Sequence, residues 1–133
     1  MALKIAVVSD DGVTVSQHFG RAELYVVLQI EDGAVVGREN RPRSGHRAFA
    51  SMEQHTSHGG RHGYDEHSQS KHHSMAQAIA DCQVLIAGGM GWGAYESMKG
   101  YNIEPIVTDV GDIDQAVALY LEGRLENLME RVH

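Results

Sequence analysis

A chain of 133 residues holds one ordinary domain, and two full cores would not fit. It is 42% hydrophobic and 22% charged, values that argue against general disorder. A formal net charge of −7 opposes a broad nucleic-acid footprint, and no apolar run approaches the length of a bilayer span. The single cysteine, Cys82, rules out an internal disulfide and any cluster held by several cysteines of one chain. The N-terminus runs straight into a strand-like segment without a signal-peptide pattern, so a cytoplasmic protein is expected.

Lys4 to Ser9 (KIAVVS) reads as a strand buried on both faces, followed by an Asp10-Asp11-Gly12 turn. Glu23 to Ile30 alternates Leu24, Val26, Leu28 and Ile30 against Tyr25, Val27 and Gln29, the period of a strand. Asp32-Gly33 is hairpin-turn chemistry, and Ala34 to Glu39 returns as its partner. From about Arg41 to Ser70 the apolar period is lost, and a flexible, histidine-rich loop is expected over about 42–70. His72 to Cys82 places Met75, Ile79 and Cys82 at helical spacing.

Gln83 to Gly88 is a buried strand, and Gly91 to Tyr101 a helix burying Ala94, Met98 and Tyr101. Ile103 to Thr108 is a strand in which Pro105 points to a sheet edge. Asp112 to Gln115 resembles a capping box, opening a helix that buries Ile113, Ala116, Val117, Tyr120 and Leu121 and stops near Gly123. A short terminal helical turn would use Leu125, Leu128, Met129 and Val132. The order β-β-β-α-β-α-β-α predicts an α/β sheet with one antiparallel strand.

Seven of the nine histidines (His46, His55, His58, His62, His67, His72 and His73) fall between Ser44 and His73. Imidazole is a neutral nitrogen ligand near pH 7, and several on one loop can converge on one ion. His55-x-x-His58-x-x-x-His62 and the His72-His73 pair have ligand spacings, but no pattern selects a metal. The alternatives are a solvated loop, a zinc, nickel or copper buffer, and a loop that gains charge on mild acidification.

Gly88-Gly89-Met90-Gly91-Trp92-Gly93-Ala94 follows a strand and opens a helix. From Gly89 it satisfies G-x-G-x-x-A, with Asp109 twenty residues on, which is formally a dinucleotide fingerprint. An anionic ligand on backbone N–H groups and a plain tight turn are the other readings. His18, in Ser16-Gln-His-Phe-Gly-Arg21, lies outside the cluster but belongs to a loop that can reach the same sheet end. Asp10 and Asp109 each end a strand. They suit either turn capping or a Mg²⁺ site of a nuclease-like enzyme. Cys82 reads as a buried hydrophobe or a soft ligand. Arg38, Arg41, Arg43 and Arg47 read as a positive patch or a solvated edge.

Taken together, KIAVVSDDG, VSQHFGRAELYVV, IADCQVLIAGGMGWGAYESMKGYNIEPIVTD and IDQAVALYLEGRL resemble the dinitrogenase iron–molybdenum cofactor biosynthesis family. The joint presence of S-x-H-F-G-R and GGMGxGA carries the resemblance, which spans nearly the whole chain outside 42–70. It implies one domain over 1–133, a ribonuclease H-like three-layer fold, and a five-stranded mixed sheet of order 3-2-1-4-5 with about three helices. It further implies a non-enzymatic carrier of a metal–sulfur cluster, iron–molybdenum cofactor-like or iron–sulfur, in nitrogen fixation-related cofactor assembly. Carried over by motif are His18, Gly89, Met90 and Gly91. His18, His55, His58, His62, His67, His72 and His73 are the candidate metal ligands. The expected partners are cofactor donor and acceptor proteins, with neither nucleic acid nor membrane, and the chain is expected as a monomer or weak homodimer. A Mg²⁺-dependent nuclease and a nucleotide-binding module remain the rivals.

Overall fold

A computed structural model describes residues 2–43 and 75–132. Strand β1 (Ala2–Ser9) leads through a loop with a 3₁₀ turn (Phe19–Arg21) to the hairpin β2 (Leu24–Glu31) and β3 (Ala34–Pro42). Residues 75–77 are helical. Then come β4 (Val84–Ala87), helix α1 (Trp92–Gly100), β5 (Glu104–Val107), helix α2 (Ile113–Leu121) and a second 3₁₀ turn (Met129–Arg131). The five strands form one sheet of order β3-β2-β1-β4-β5, the order implied by the resemblance. β2 runs antiparallel to both of its neighbours, while β1, β4 and β5 are parallel.

The period of two in the strands divides the core. Ala6, Val8, Tyr25, Val27, Leu85 and Ala87 face a layer made by Ala76, Ile79 and α1, with Met98 fully buried. Ile5, Val7, Val26, Leu28 and Ile86 face Ile113, Ala116 and Val117 of α2. The central strands are therefore covered on both sides, as parallel pairing requires. Asp32 and Gly33 both take left-handed backbone (φ 51 and φ 80), the geometry that a two-residue hairpin turn needs.

Several boundaries differ from expectation. β3 runs on to Pro42, because Arg41 and Asn40 pair in register with Tyr25 and Val26 although the strand is polar. After 75–77 the helical path loosens into turns closed by Ile79 N–H to Ala76 O, Ala80 N–H to Gln77 O and Cys82 N–H to Ile79 O. Its residues 72–74 lie outside the described ones. Asp112 caps α2 by accepting from the Gln115 N–H at 2.9 Å, as its spacing predicts. Tyr120, Leu121 and Tyr101 are half-buried, at the margins of the two cores.

Pro105 does mark a sheet edge, and that edge is blunted. Pro105 has no N–H. The Val107 N–H donates to Asn127 Oδ1 (2.9 Å), and the Val107 carbonyl accepts from the Leu128 N–H (2.7 Å). The residues after α2 thus run beside β5 and reach Met90, which pairs with Val132. Among the described residues no helix is long and apolar enough to cross a membrane.

Candidate functional site

The C-terminal ends of the parallel strands form one rim, and two loops are laced together across it. After β1 the chain turns on Asp11, whose carboxylate accepts from the N–H groups of Val13 (2.8 Å) and Thr14 (2.7 Å) and from the Thr14 hydroxyl. These backbone donors, Thr14 first, hold its pKa well below the usual carboxylate range. Ser9 Oγ donates to the Thr14 carbonyl at 2.6 Å and closes the same turn.

The chain then inserts between the ends of β1 and β4. Ser16 N–H donates to the Val8 carbonyl, and Gly88 N–H donates to the Ser16 carbonyl, both at 2.8 Å. Phe19 N–H donates to the Gly89 carbonyl at 3.0 Å. His18 sits between these anchors. Its N–H donates to Ser16 Oγ (3.2 Å), its carbonyl accepts from the Arg21 N–H (3.1 Å), and its side chain is exposed. The imidazole is therefore presented from a tethered backbone.

The glycines of the second loop have a specific reason to be glycines. A Cβ on Gly88 would lie 2.8 Å from the Ser16 carbonyl oxygen and 3.0 Å from Gln17 Cα. A Cβ on Gly89 would lie 2.7 Å from the Gln17 carbonyl oxygen. The close approach that these residues permit is thus by residues 16–17 of the same chain. Met90 is packed into the core at 2% exposure, and its N–H donates to the Arg131 carbonyl (3.5 Å), so it anchors the turn from beneath. Gly91 is the extended residue before α1, and no side chain caps it. The first intrahelical bond is Tyr95 N–H to the Gly91 carbonyl, so the N–H groups of Trp92, Gly93 and Ala94 are the helix's opening donors.

Three further residues shape the rim, and the sequence singled out none of them. Arg131 donates to the Gly88 carbonyl (3.1 Å) and to Gln17 Oε1 (3.2 Å), bringing a guanidinium from the chain's far end to the glycine turn. Gln17 is the acceptor that joins Arg131 to the His18 loop. Trp92 stands 49% exposed at the start of α1, edge-on to Tyr95 with ring centroids 5.5 Å apart. Separations of 114 and 43 positions put the Arg131 contacts beyond any sequence pattern.

Other candidates fall elsewhere. Asp10 accepts from the Glu23 N–H (3.0 Å), tying the chain after β1 to the residue before β2. Cys82 is buried, and burial pushes its thiol up to about 12, unsuited to a thiolate ligand. Arg38 and Arg41 are inter-element clamps: Arg38 reaches Asp114 (2.9 Å), and Arg41 reaches Asp81 (2.8 Å) and the Ala78 carbonyl (3.0 Å). Arg43 is buried, so it belongs to no solvated edge. Arg47 and the loop histidines His46, His55, His58, His62, His67, His72 and His73 lie outside the described residues. Among the described residues no three His, Cys, Asp or Glu side chains group to hold a metal ion.

Comparison with known proteins follows the same outline. The family profile described as "Dinitrogenase iron-molybdenum cofactor" matches residues 1–123. The uncharacterised protein MJ0580 of Methanocaldococcus jannaschii is 28% identical over 93% of this chain and 90% of its own length. The apo form of the orange protein of Desulfovibrio gigas superposes with a TM-score of 0.65 at 23% identity, covering 94% of this chain and 92% of that one. PH0822 superposes with a TM-score of 0.67 at 19% identity, covering 95% and 96%. At these identities the structural neighbours establish the fold.

Proposed function

Since the chain belongs to the dinitrogenase iron–molybdenum cofactor family, we propose that it binds and hands on a metal–sulfur cluster at the rim built by His18 and the glycine turn. The observation that carries this reading is the lacing of the two loops. Phe19 N–H on the Gly89 carbonyl and Gly88 N–H on the Ser16 carbonyl make the two family motifs one surface.

The donor set suits an anionic cargo held by outer contacts. Metal–sulfide clusters carry negative charge, and backbone N–H groups at a helix start, an imidazole and a guanidinium are matching partners. Gly89, Met90 and Gly91 would seat the cargo through their turn and the α1 N–H donors that follow it, with His18 as a nitrogen ligand or donor and Arg131 as charge at the edge. His55, His58, His62, His67, His72 and His73 are proposed to add imidazoles. No described thiol is placed to compete for the metal, because Cys82 is buried ahead of β4, at the opposite end of that strand from the glycine turn. Few strong ligands favour release, as a carrier between donor and acceptor proteins needs, and no catalytic step is required.

The test is an anaerobic titration with tetrathiomolybdate, a simple soluble molybdenum–sulfide anion, read by visible absorption and by fluorescence of Trp92, the chain's only tryptophan. Near-stoichiometric binding is expected, about tenfold weaker in His18→Ala. A chain with the six loop histidines changed to alanine should also bind more weakly. No binding by the native chain, or equal affinity in both variants, would sink the proposal.

A further inference from the structure

Arg43 is a buried cation with no counter-ion beside it among the described residues. Its residue is 8% exposed, and its guanidinium carbon lies 4.7 Å from the Phe19 ring centroid and 5.0 Å from that of Tyr25. Among the described residues no carboxylate comes within ion-pair distance; Asp10 and Glu23 act on it only from farther off. Tyr25 is no counter-ion either, since burial pushes its phenol up to about 12 and its hydroxyl donates to the Met75 carbonyl (2.9 Å). Desolvation accordingly lowers the Arg43 pKa.

An apolar side chain of similar length would fill this slot without that penalty. What only a donor can do there is bind the Phe19 carbonyl, and Arg43 Nη1 does so. The same residue's N–H is held by Gly89. Phe19 is thus gripped at both polar groups, from the glycine turn on one side and from Arg43 on the other. His18 is its immediate neighbour. Arg43 is itself anchored through its N–H to the Glu23 carbonyl (2.9 Å).

We propose that Arg43 is a positioning residue, whose guanidinium between the Phe19 and Tyr25 rings grips the Phe19 carbonyl and so holds His18 at the glycine turn. The effect on cargo affinity rests on the carrier reading above; the effect on loop order does not. Two variants and two readouts separate them. In Arg43→Met the ring slot stays filled but the donor is lost. Amide hydrogen exchange should then speed up at Phe19 and His18 by about tenfold or more, with β1 and β4 amides unchanged. Tetrathiomolybdate should bind about tenfold more weakly. Arg43→Lys keeps a donor but loses the stacked planar fork, so both readouts should fall between those of Arg43→Met and the native chain.

Unchanged exchange at Phe19 in Arg43→Met would overturn the proposal. So would an Arg43→Lys chain as perturbed as Arg43→Met, because the role would then be packing alone. If the native chain binds no tetrathiomolybdate, the carrier reading fails, and the exchange measurement still decides the role of Arg43.

Discussion

Gly88 and Gly89 tie sequence to site at the scale of single residues. Their missing Cβ atoms leave room for the backbone of residues 16–17, and the nearest atoms, the Ser16 and Gln17 carbonyl oxygens at 2.8 and 2.7 Å, are main chain that cannot swing aside. Gly88→Ala or Gly89→Ala should therefore cost about 1–3 kcal/mol in urea unfolding and shift the His18 loop. Gly20→Ala, with nothing within 4 Å of the new methyl, should stay within about 0.5 kcal/mol of the native chain. Equal stability in all three variants would refute this account. The glycine run was legible in the sequence, but its partner was not. A G-x-G-x-x-A pattern reads as a dinucleotide fingerprint, an anion cradle or a plain turn, and nothing in it tells that residues 16–17 pack against its first glycine. Met90 shows the same limit, since its place in the motif says nothing of its burial.

Among the elements, β3 depends on its arginines. It is polar along most of its length, and among the described residues its outer edge pairs with no strand. Arg38 ties one face to Asp114 of α2, and Arg41 ties the other to Asp81 and the Ala78 carbonyl. Asp81 also receives Lys4 at 2.9 Å. The Arg41 hydrogen bond, with Lys4 behind it, holds the Asp81 carboxyl well below its usual range.

A depressed folded-state pKa adds stability above the unfolded value, and that stability is lost as pH falls through the folded one. Asp81→Asn should cost about 0.5–1 kcal/mol at neutral pH, a modest figure because the pair is partly exposed. The gap between native and variant chains should narrow as pH drops from about 4 toward 2. A gap constant down to pH 2, measured by urea unfolding, would contradict it. From sequence the arginines read as a patch or a solvated edge, because a charge pattern does not say which acid 40 or 76 positions away will meet it.

The molecule as a whole is closed by residues 124–132, all of which lie past the family match at 1–123. They cover the β5 edge through Asn127 and Leu128, bury Val132 beside Met90, and bring Arg131 to Gly88 and Gln17. A chain ending at Gly123 should melt roughly 5–10 °C lower, from the lost apolar burial and edge hydrogen bonds. A melting temperature within a degree of the native value would show this segment to be ornamental.

Strand faces, the Asp-Gly hairpin, the α2 cap and the sheet edge at Pro105 were all written in local chemistry. Each depends on residues within a few positions of one another, where periodicity and turn preference act directly. The sheet order came from the family resemblance, carried by two motifs that begin at Ser16 and Gly88, and pattern alone would not have produced it. Folding settled what depends on distant atoms meeting: the lacing of the His18 loop to the glycine turn, the arrival of Arg131, and the burial of Arg43. Those contacts are set by how three layers pack, and packing has no period to be read along a chain.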